Sequence, residues 1–219
     1  AFAGAAWHAE LSAQRSSDTI ACAPPSRILT SMPLTPEDKT RYSRNIAIPG
    51  FGEEAQERLG ASKVGVVGLG GLGSPAALYL AAAGAGALAL IDSDVVELSN
   101  LQRQVLHSAA SLGRPKAVSA AETLGALNPN LRLAPIQCRV DEDNAADVLG
   151  DCDAIVEATD NFETKFALND ACLAMGKPFA TAGILALSGH ALFVVPGETS
   201  CLRCGVPEVP AGAPTTAEQ

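Results

Sequence analysis

The chain has 219 residues, of which 47% are hydrophobic and 18% charged, enough apolar material for one α/β domain with a substantial core. Fifteen Lys and Arg against 24 Asp and Glu give a net charge of −9, which argues against nucleic acid or an anionic membrane surface as the main partner. The six cysteines are too few and too scattered for a disulfide framework, which fits a reducing cytoplasm, and the apolar run from Ala76 to Leu90 is interrupted by Gly84 and Gly86, so no membrane span is expected.

In chain order, residues 1–31 are Ala/Ser-rich, carry Pro24 and Pro25 and show no periodicity, so a disordered leader is expected there. Order is expected from Met32, with Thr35 as a helix N-cap followed by Pro36, Glu37 and Asp38. Lys63 to Val67 reads as a strand that ends in Gly68-Leu69-Gly70-Gly71-Leu72-Gly73, Ser74 to Ala83 as a helix, and Ala87 to Ile91 as a second strand ending at Asp92. Then come a helix starting near Glu97, a helix from Pro115 to Leu127, a strand from Leu131 to Gln137 and a helix from Asp143 to Leu149. A strand from Ala154 to Ala158, a helix from Asn161 to Met175, and strands at Pro178 to Thr181 and His190 to Val195 complete the pattern. The alternation predicts an α/β fold: a mostly parallel sheet with helices on both faces. After Val206 the text is loop-like and ends at Gln219 without a closing element, so residues 32–219 read as one domain incomplete at its C-terminal end.

A glycine loop between a strand and a helix lets backbone approach phosphate oxygens, and the helix N-terminus supplies free amides. Gly68, Gly70, Gly71 and Gly73 are therefore nucleotide-binding candidates, with Asp92 placed to accept from a ribose hydroxyl. To this point NAD and ATP fit equally, and a glycine turn that binds nothing stays open. On the expected helix, Asn100, Arg103, Gln104 and His107 share one face, an amide and guanidinium surface suited to phosphate or simply to water. His107 reads as structural, and Asp94 with Glu97 resembles a capping box. Lys116 opens a helix where a cation opposes the dipole, a conflict that a bound anion would remove, although a surface lysine reads the same way. Asp160 is explained equally well as an N-cap and as a carboxylate holding Mg2+ at the end of a parallel strand.

Taken together, the glycine loop, Asp92, Asn100-Leu101-Gln102-Arg103-Gln104, Gly113-Arg114-Pro115-Lys116 and Thr159-Asp160-Asn161 resemble the ThiF/MoeB/HesA family of adenylating enzymes, distantly similar to ubiquitin-activating enzymes. The resemblance runs from about Leu34 to Gln219 and is closest over Arg41 to Arg44 and Val64 to Lys116. It implies a Rossmann-like fold of the ubiquitin-activating type, and ATP with Mg2+ as reactants at the glycine loop. The carboxylate attacking ATP would be the C-terminal Gly-Gly of a ubiquitin-like sulfur-carrier protein, giving an acyl-adenylate and pyrophosphate for molybdopterin, thiamine or related sulfur-transfer biosynthesis. By the same resemblance Asp92 holds the ribose, Asp160 the Mg2+, and Asn100, Arg103, Gln104 and Lys116 the phosphates. Arg44 reaches the neighbouring subunit's site, which implies a homodimer. A sulfurtransferase or cysteine desulfurase is the implied second partner.

Cys201 and Cys204 resemble the first half of the family's structural Zn2+ site, and zinc binding is expected to need ligands beyond Gln219. A cysteine used by some members for covalent chemistry has no counterpart if Thr215 and Thr216 occupy that loop. The alternatives are a truncated, non-catalytic module that binds ATP or the carrier, a related tRNA-modifying dehydratase, and, least supported, an NAD-dependent oxidoreductase.

Overall fold

The computed structural model describes residues 33–185 and 187–208. The expected leader at 1–31, Cys22 and the loop containing Thr215 lie outside them. Three helices lead in: α1 (Pro36–Arg41), α2 (Ser43–Ile46) and α3 (Gly52–Ala61). The Thr35 cap forms as expected, since its hydroxyl accepts from the Asp38 amide and Asp38 reaches back to the Thr35 amide. Tyr42 anchors these helices to the body of the domain, buried against Gly84 with its hydroxyl accepting from Asn128 Nδ2 at 3.0 Å.

The body alternates β1 (Lys63–Val67), α4 (Gly73–Ala83), β2 (Ala87–Ile91), α5 (Lys116–Leu127), β3 (Arg132–Ile136), α6 (Ala145–Leu149), β4 (Ala154–Glu157), α7 (Phe162–Met175), β5 (Phe179–Leu185), β6 (Ser188–Val194) and α8 (Leu202–Gly205). The six strands form one sheet in the order β3-β2-β1-β4-β5-β6, parallel except for β6, which returns antiparallel to β5. Consecutive strands thus add outward from β1 to β3, and the next strand, β4, is laid on the other side of β1. Such a reversal opens a crevice at the carboxyl ends of β1 and β4, where ligands of open α/β sheets bind.

Burial follows the composition of the strands. All five residues of β2, Ala-Leu-Ala-Leu-Ile, are buried, as a central parallel strand covered on both faces requires. One face packs Val66, Leu88 and Leu90 against α4 and α5 through Ala77, Ala81, Ala117, Ala120 and Leu124. The other packs Val67, Ala89, Ile91 and Ile155 with Leu149, Leu168 and Cys172. Each fully buried Leu or Ile contributes about 1.5–3 kcal/mol by leaving water. Because alanine lines the α4 face, that helix comes close to the sheet and brings its N-terminus down onto the end of β1.

Four expectations are corrected. No helix runs from Glu97 to His107. Leu98–Asn100 forms a single 3₁₀ turn and further turns follow, since Val95 bridges to Pro115 and pulls the segment across the sheet end. The capping box in this turn pairs Glu97 with Asn100, not Asp94 with Glu97. Helix α7 is capped by Asn161, whose Oδ1 accepts from the Thr164 amide at 2.8 Å, so Asp160 is not the cap. The last two strands are longer than expected and form a hairpin. Among the described residues, no helix is long and apolar enough to cross a membrane.

Candidate active site

The crevice is a cavity of about 880 Å³, and its lining includes Gly68, Gly70, Gly71, Asp92, Asp94, Arg103, Gln104, Lys116, Thr159, Asp160 and Lys165. The glycine loop is built by close backbone approach. Gly68 has φ +88°, and a Cβ there would lie 2.7 Å from the Ala158 carbonyl oxygen; one on Gly73 would lie 1.8 Å from the Gly68 carbonyl oxygen. Gly73 itself does not line the cavity; it lets the loop fold tightly onto the first turn of α4. By contrast, a Cβ on Gly70 or Gly71 would meet only the Gln104 and Arg103 side chains, at 3.5 Å. Those two glycines therefore present bare backbone to the cavity.

Asp92 ties this loop to the end of β2. Its Oδ2 accepts from the Leu69 amide at 2.7 Å and its Oδ1 from the Asp94 amide at 2.8 Å. Burial pushes its pKa above the usual carboxylate value, against the lowering by these two amides and Lys116. Beneath the loop, His107 is buried, with Nε2 3.1 Å from the Leu69 carbonyl oxygen and Nδ1 3.0 Å from Ser119 Oγ. A carbonyl only accepts, which assigns the proton to Nε2 and makes Nδ1 the acceptor from Ser119. Burial lowers the His107 pKa, with the bond to Leu69 acting the other way. His107 is thus structural, as expected, and it supports the glycine loop from below.

Two cationic groups and an amide line the same cavity as the loop. Arg103 lays its methylenes against Gly71 and donates through Nη1 to the Ser99 carbonyl oxygen at 3.1 Å. Gln104 is buried, and its Oε1 is the one buried side-chain polar atom without a hydrogen-bond partner among the described residues. Leaving that oxygen unmet costs about 1–3 kcal/mol, and it has almost no accessible surface of its own. The Gln104 atom that lies toward Gly70 is Nε2, so the side chain would offer a polar ligand in the cavity its amide nitrogen. Lys116 is buried at the start of α5 and donates to Asp94 Oδ2 at 2.9 Å. Burial acts upward on the Asp94 carboxyl, but its hydrogen bond and attraction to Lys116 outweigh this and hold it below the usual value. The expected conflict between Lys116 and the α5 dipole is thus met in this structure by a carboxylate. Asp94, which the sequence reading set aside, belongs to the site.

Asp160 is exposed at the cavity rim, on the turn between β4 and α7. Behind it lies an arrangement the sequence reading missed: Glu157, buried at the end of β4, pairs with Lys165 of α7 at 2.7 Å. Asn100 does not line the cavity; its Oδ1 accepts from the Glu97 amide at 3.2 Å. Arg44 is exposed on α2, away from the cavity of its own chain. Cys201 and Cys204 bring their sulfur atoms to 3.6 Å, and no group of three or more metal-ligating residues forms among the described residues. That is two of the four ligands a zinc site needs.

A second cavity, of about 750 Å³, lies at the opposite end of the sheet beside Tyr42, Gln56 and Asn128. The polar groups there bond to protein: Gln56 Nε2 to the Ala83 carbonyl oxygen, and Asn128 Nδ2 to Tyr42 Oη and the Ala81 carbonyl oxygen. They leave no comparable demand for a ligand.

The chain is 48% identical over 170 residues to the SAMP-activating enzyme E1 of Haloferax volcanii, a match covering 78% of this chain and 63% of that one. It is 42% identical over 184 residues to the sulfur carrier protein adenylyltransferase of Thermus thermophilus, covering 82% and 68%. The probable adenylyltransferase/sulfurtransferase MoeZ of Mycobacterium tuberculosis is 45% identical over 158 residues, and there the chain spans only 40% of the relative. Among solved structures, E. coli MccB with ATP superposes with a TM-score of 0.68 at 29% identity, covering 76% of this chain and 52% of that one. The ThiF family matches residues 42–219, and the chain belongs to that family.

Proposed function

We propose that this chain adenylates the C-terminal Gly-Gly carboxylate of a ubiquitin-like sulfur-carrier protein at the expense of ATP. The observation that carries this reading is the convergence in one cavity of bare glycine backbone, Asp92, Arg103, Gln104, Lys116 and Asp160. A nucleotide with its ribose at Asp92 would lay its phosphates along Gly70 and Gly71 toward Arg103 and Lys116, and an attacking carboxylate would enter from the Asp160 side. Relatives named for carrier activation in Haloferax and Thermus support the same class of substrate.

In the reaction a carboxylate oxygen bonds to the α-phosphorus and the bond to the β-phosphate bridging oxygen breaks, releasing pyrophosphate. Charge grows on the phosphate oxygens, and Arg103, the Gln104 amide and Lys116 would stabilise it from a partly water-excluded wall. Lys116 must exchange Asp94 for phosphate to do so. Asp94 is free to move aside, its side chain being 63% exposed while that of Lys116 is 8% exposed.

Asp160 has the chemistry to hold Mg2+: it is a hard oxygen donor, uncommitted to capping and open to the cavity, and Mg2+ sites commonly combine one or two carboxylates with substrate phosphates. When bound, Mg2+ would neutralise phosphate charge. Arg44 would complete the site of a second copy in a homodimer. The substrate could belong to molybdopterin, thiamine or another sulfur-using pathway in the cytoplasm, with a sulfurtransferase or cysteine desulfurase acting on the adenylate. Zn2+ at Cys201 and Cys204 would require two further ligands.

The test is ATP–pyrophosphate exchange with a panel of Gly-Gly-ended carriers and an Asp160→Asn control. Exchange with one carrier, lost in the control, identifies the substrate. Nucleotide binding without exchange for any carrier would overturn the reading in favour of a non-catalytic binding module.

A further inference from the structure

The Glu157 carboxylate accepts four hydrogen bonds among the described residues. Its Oε1 accepts from both the amide and the hydroxyl of Thr159, at 2.7 and 2.6 Å. Its Oε2 accepts from Lys165 Nζ at 2.7 Å and from the hydroxyl of Thr181, its register partner on β5. Lys165 Nζ also donates to the Ala182 carbonyl oxygen at 2.6 Å. The Glu157 and Lys165 side chains are 1% and 7% exposed.

A buried ion pair contributes little net stability against an apolar replacement of the same volume, so stability alone accounts poorly for one here. What this pair does have is position. A single carboxylate joins the end of β4, the first half of α7 and the neighbouring strand β5, and two of its four bonds go to Thr159, the residue before Asp160. The Asp160 turn is thereby held at both ends: Glu157 fixes the entering backbone, and the Asn161 cap fixes the departing helix.

We infer that Glu157, supported by Lys165 and Thr181, is a positioning residue that fixes the Asp160 carboxylate toward the nucleotide cavity. The inference rests on the adenylation reading for its catalytic consequence, but not for the clamp itself. A loosened turn weakens the hold on a divalent cation and leaves nucleotide contacts at Gly70, Gly71 and Asp92 intact. This separation of metal from nucleotide is the signature of a clamp and not of a general support.

Three variants of the full chain test it. Thr181→Val removes one hydroxyl donor to Glu157 while keeping the side-chain shape, Glu157→Gln removes the charge, and Lys165→Arg keeps the cation. Folding is checked by thermal unfolding. Hydrogen exchange of the Thr159 amide reports the turn, and titration with Mn2+ in the presence of a non-hydrolysable ATP analogue reports the carboxylate. We expect Thr181→Val to fold and, because Thr181 lies outside the cavity lining, to bind the analogue without metal as the wild type does. Its apparent Mn2+ affinity should fall about tenfold, the size of one lost charge-assisted hydrogen bond. Lys165→Arg should retain Mn2+ affinity, and Glu157→Gln should speed exchange at the Thr159 amide.

Wild-type Mn2+ affinity in Thr181→Val would overturn the clamp, as would an equal loss of metal-free analogue binding. Unchanged Thr159 exchange in a folded Glu157→Gln would do the same. If Glu157→Gln does not fold, Thr181→Val decides. If the wild type itself binds no nucleotide, the adenylation reading fails, while exchange at the Thr159 amide still judges the clamp.

Discussion

Replacing Gly73 by alanine should damage both the fold and the nucleotide site, whereas the same change at Gly70 should spare the fold. A Cβ on Gly73 would sit 1.8 Å from the Gly68 carbonyl oxygen, and real Cβ atoms essentially never approach closer than 3.0 Å. The loop must therefore open by at least about 1.2 Å against backbone that cannot swing away as a side chain would. Overpacking of this kind costs about 1–3 kcal/mol. In a domain of this size each kcal/mol lowers Tm by about 2–4 °C, so a fall of about 2–12 °C is expected. If the loop amides hold phosphate as proposed, one displaced by that distance would lose its hydrogen bond, which predicts at least about tenfold weaker binding of an ATP analogue. At Gly70 the nearest atom, Gln104 Nε2, lies at 3.5 Å, an ordinary contact. Gly70→Ala should melt within about 1 °C of the wild type and change nucleotide affinity alone. Scanning calorimetry and titration calorimetry on the two variants make the test. Wild-type Tm and affinity in Gly73→Ala, or equal destabilisation of the two variants, would refute the reasoning.

Asp94→Asn should tighten nucleotide binding about twofold to fivefold, since the exposed carboxylate that competes for Lys116 loses its charge; Lys116→Met should weaken it, and titration calorimetry at low salt reads both. His107 has a folded pKa below its unfolded value of 6.5, so the unfolded chain takes up the proton first. Its contribution is present above pH 6.5 and is lost as pH falls through that value toward the lower folded one; urea titrations from pH 7.5 to 5 should show this decline, and His107→Asn should flatten it. Burial pushes Cys152 to about 11 and Cys172 to about 12. At pH 8 iodoacetamide should therefore modify exposed Cys204 and half-buried Cys201 first, with Cys152 and Cys172 protected until urea unfolds the chain, as mass spectrometry of the labelled peptides would show.

The parts of the fold that could be read from sequence are those set by local chemistry. The β-branched run of β1 ending in glycine, the wholly apolar β2 and the Thr35 cap each carry their structure within a few neighbouring residues. The segment from Glu97 to His107 could not be read this way. Its spacing imitates a helix, yet Leu98 and Val105 are left 73% and 58% exposed, and its course is set by a bridge between Val95 and Pro115 that no local pattern announces. The same bridge lies beside the approach of Asp94 to Lys116 across 22 residues. Glu157 and Lys165 meet only because the chain reverses from β4 into α7, so neither stood out. The sequence places the α7 cap one residue early, at Asp160, for a simpler reason: Asp and Asn cap equally well, and only the backbone decides which of two neighbours is used.

The tethering of Asp92 bears on which sugar the cavity would prefer. Each of its carboxylate oxygens already accepts one backbone amide, from Leu69 and from Asp94. An ionised carboxylate offers about four acceptor directions, which leaves about one on each oxygen. Two vicinal hydroxyls would occupy both of these, whereas a 2′-deoxy sugar would leave one buried lone pair dry after its water had been expelled. A site that hydrogen-bonds a hydroxyl rejects the analogue lacking it more strongly than apolar contact can. With the sugar at Asp92 as proposed, the geometry at the end of β2 would favour ATP over dATP, and the ratio of their exchange rates would measure how fully the ribose displaces water from Asp92.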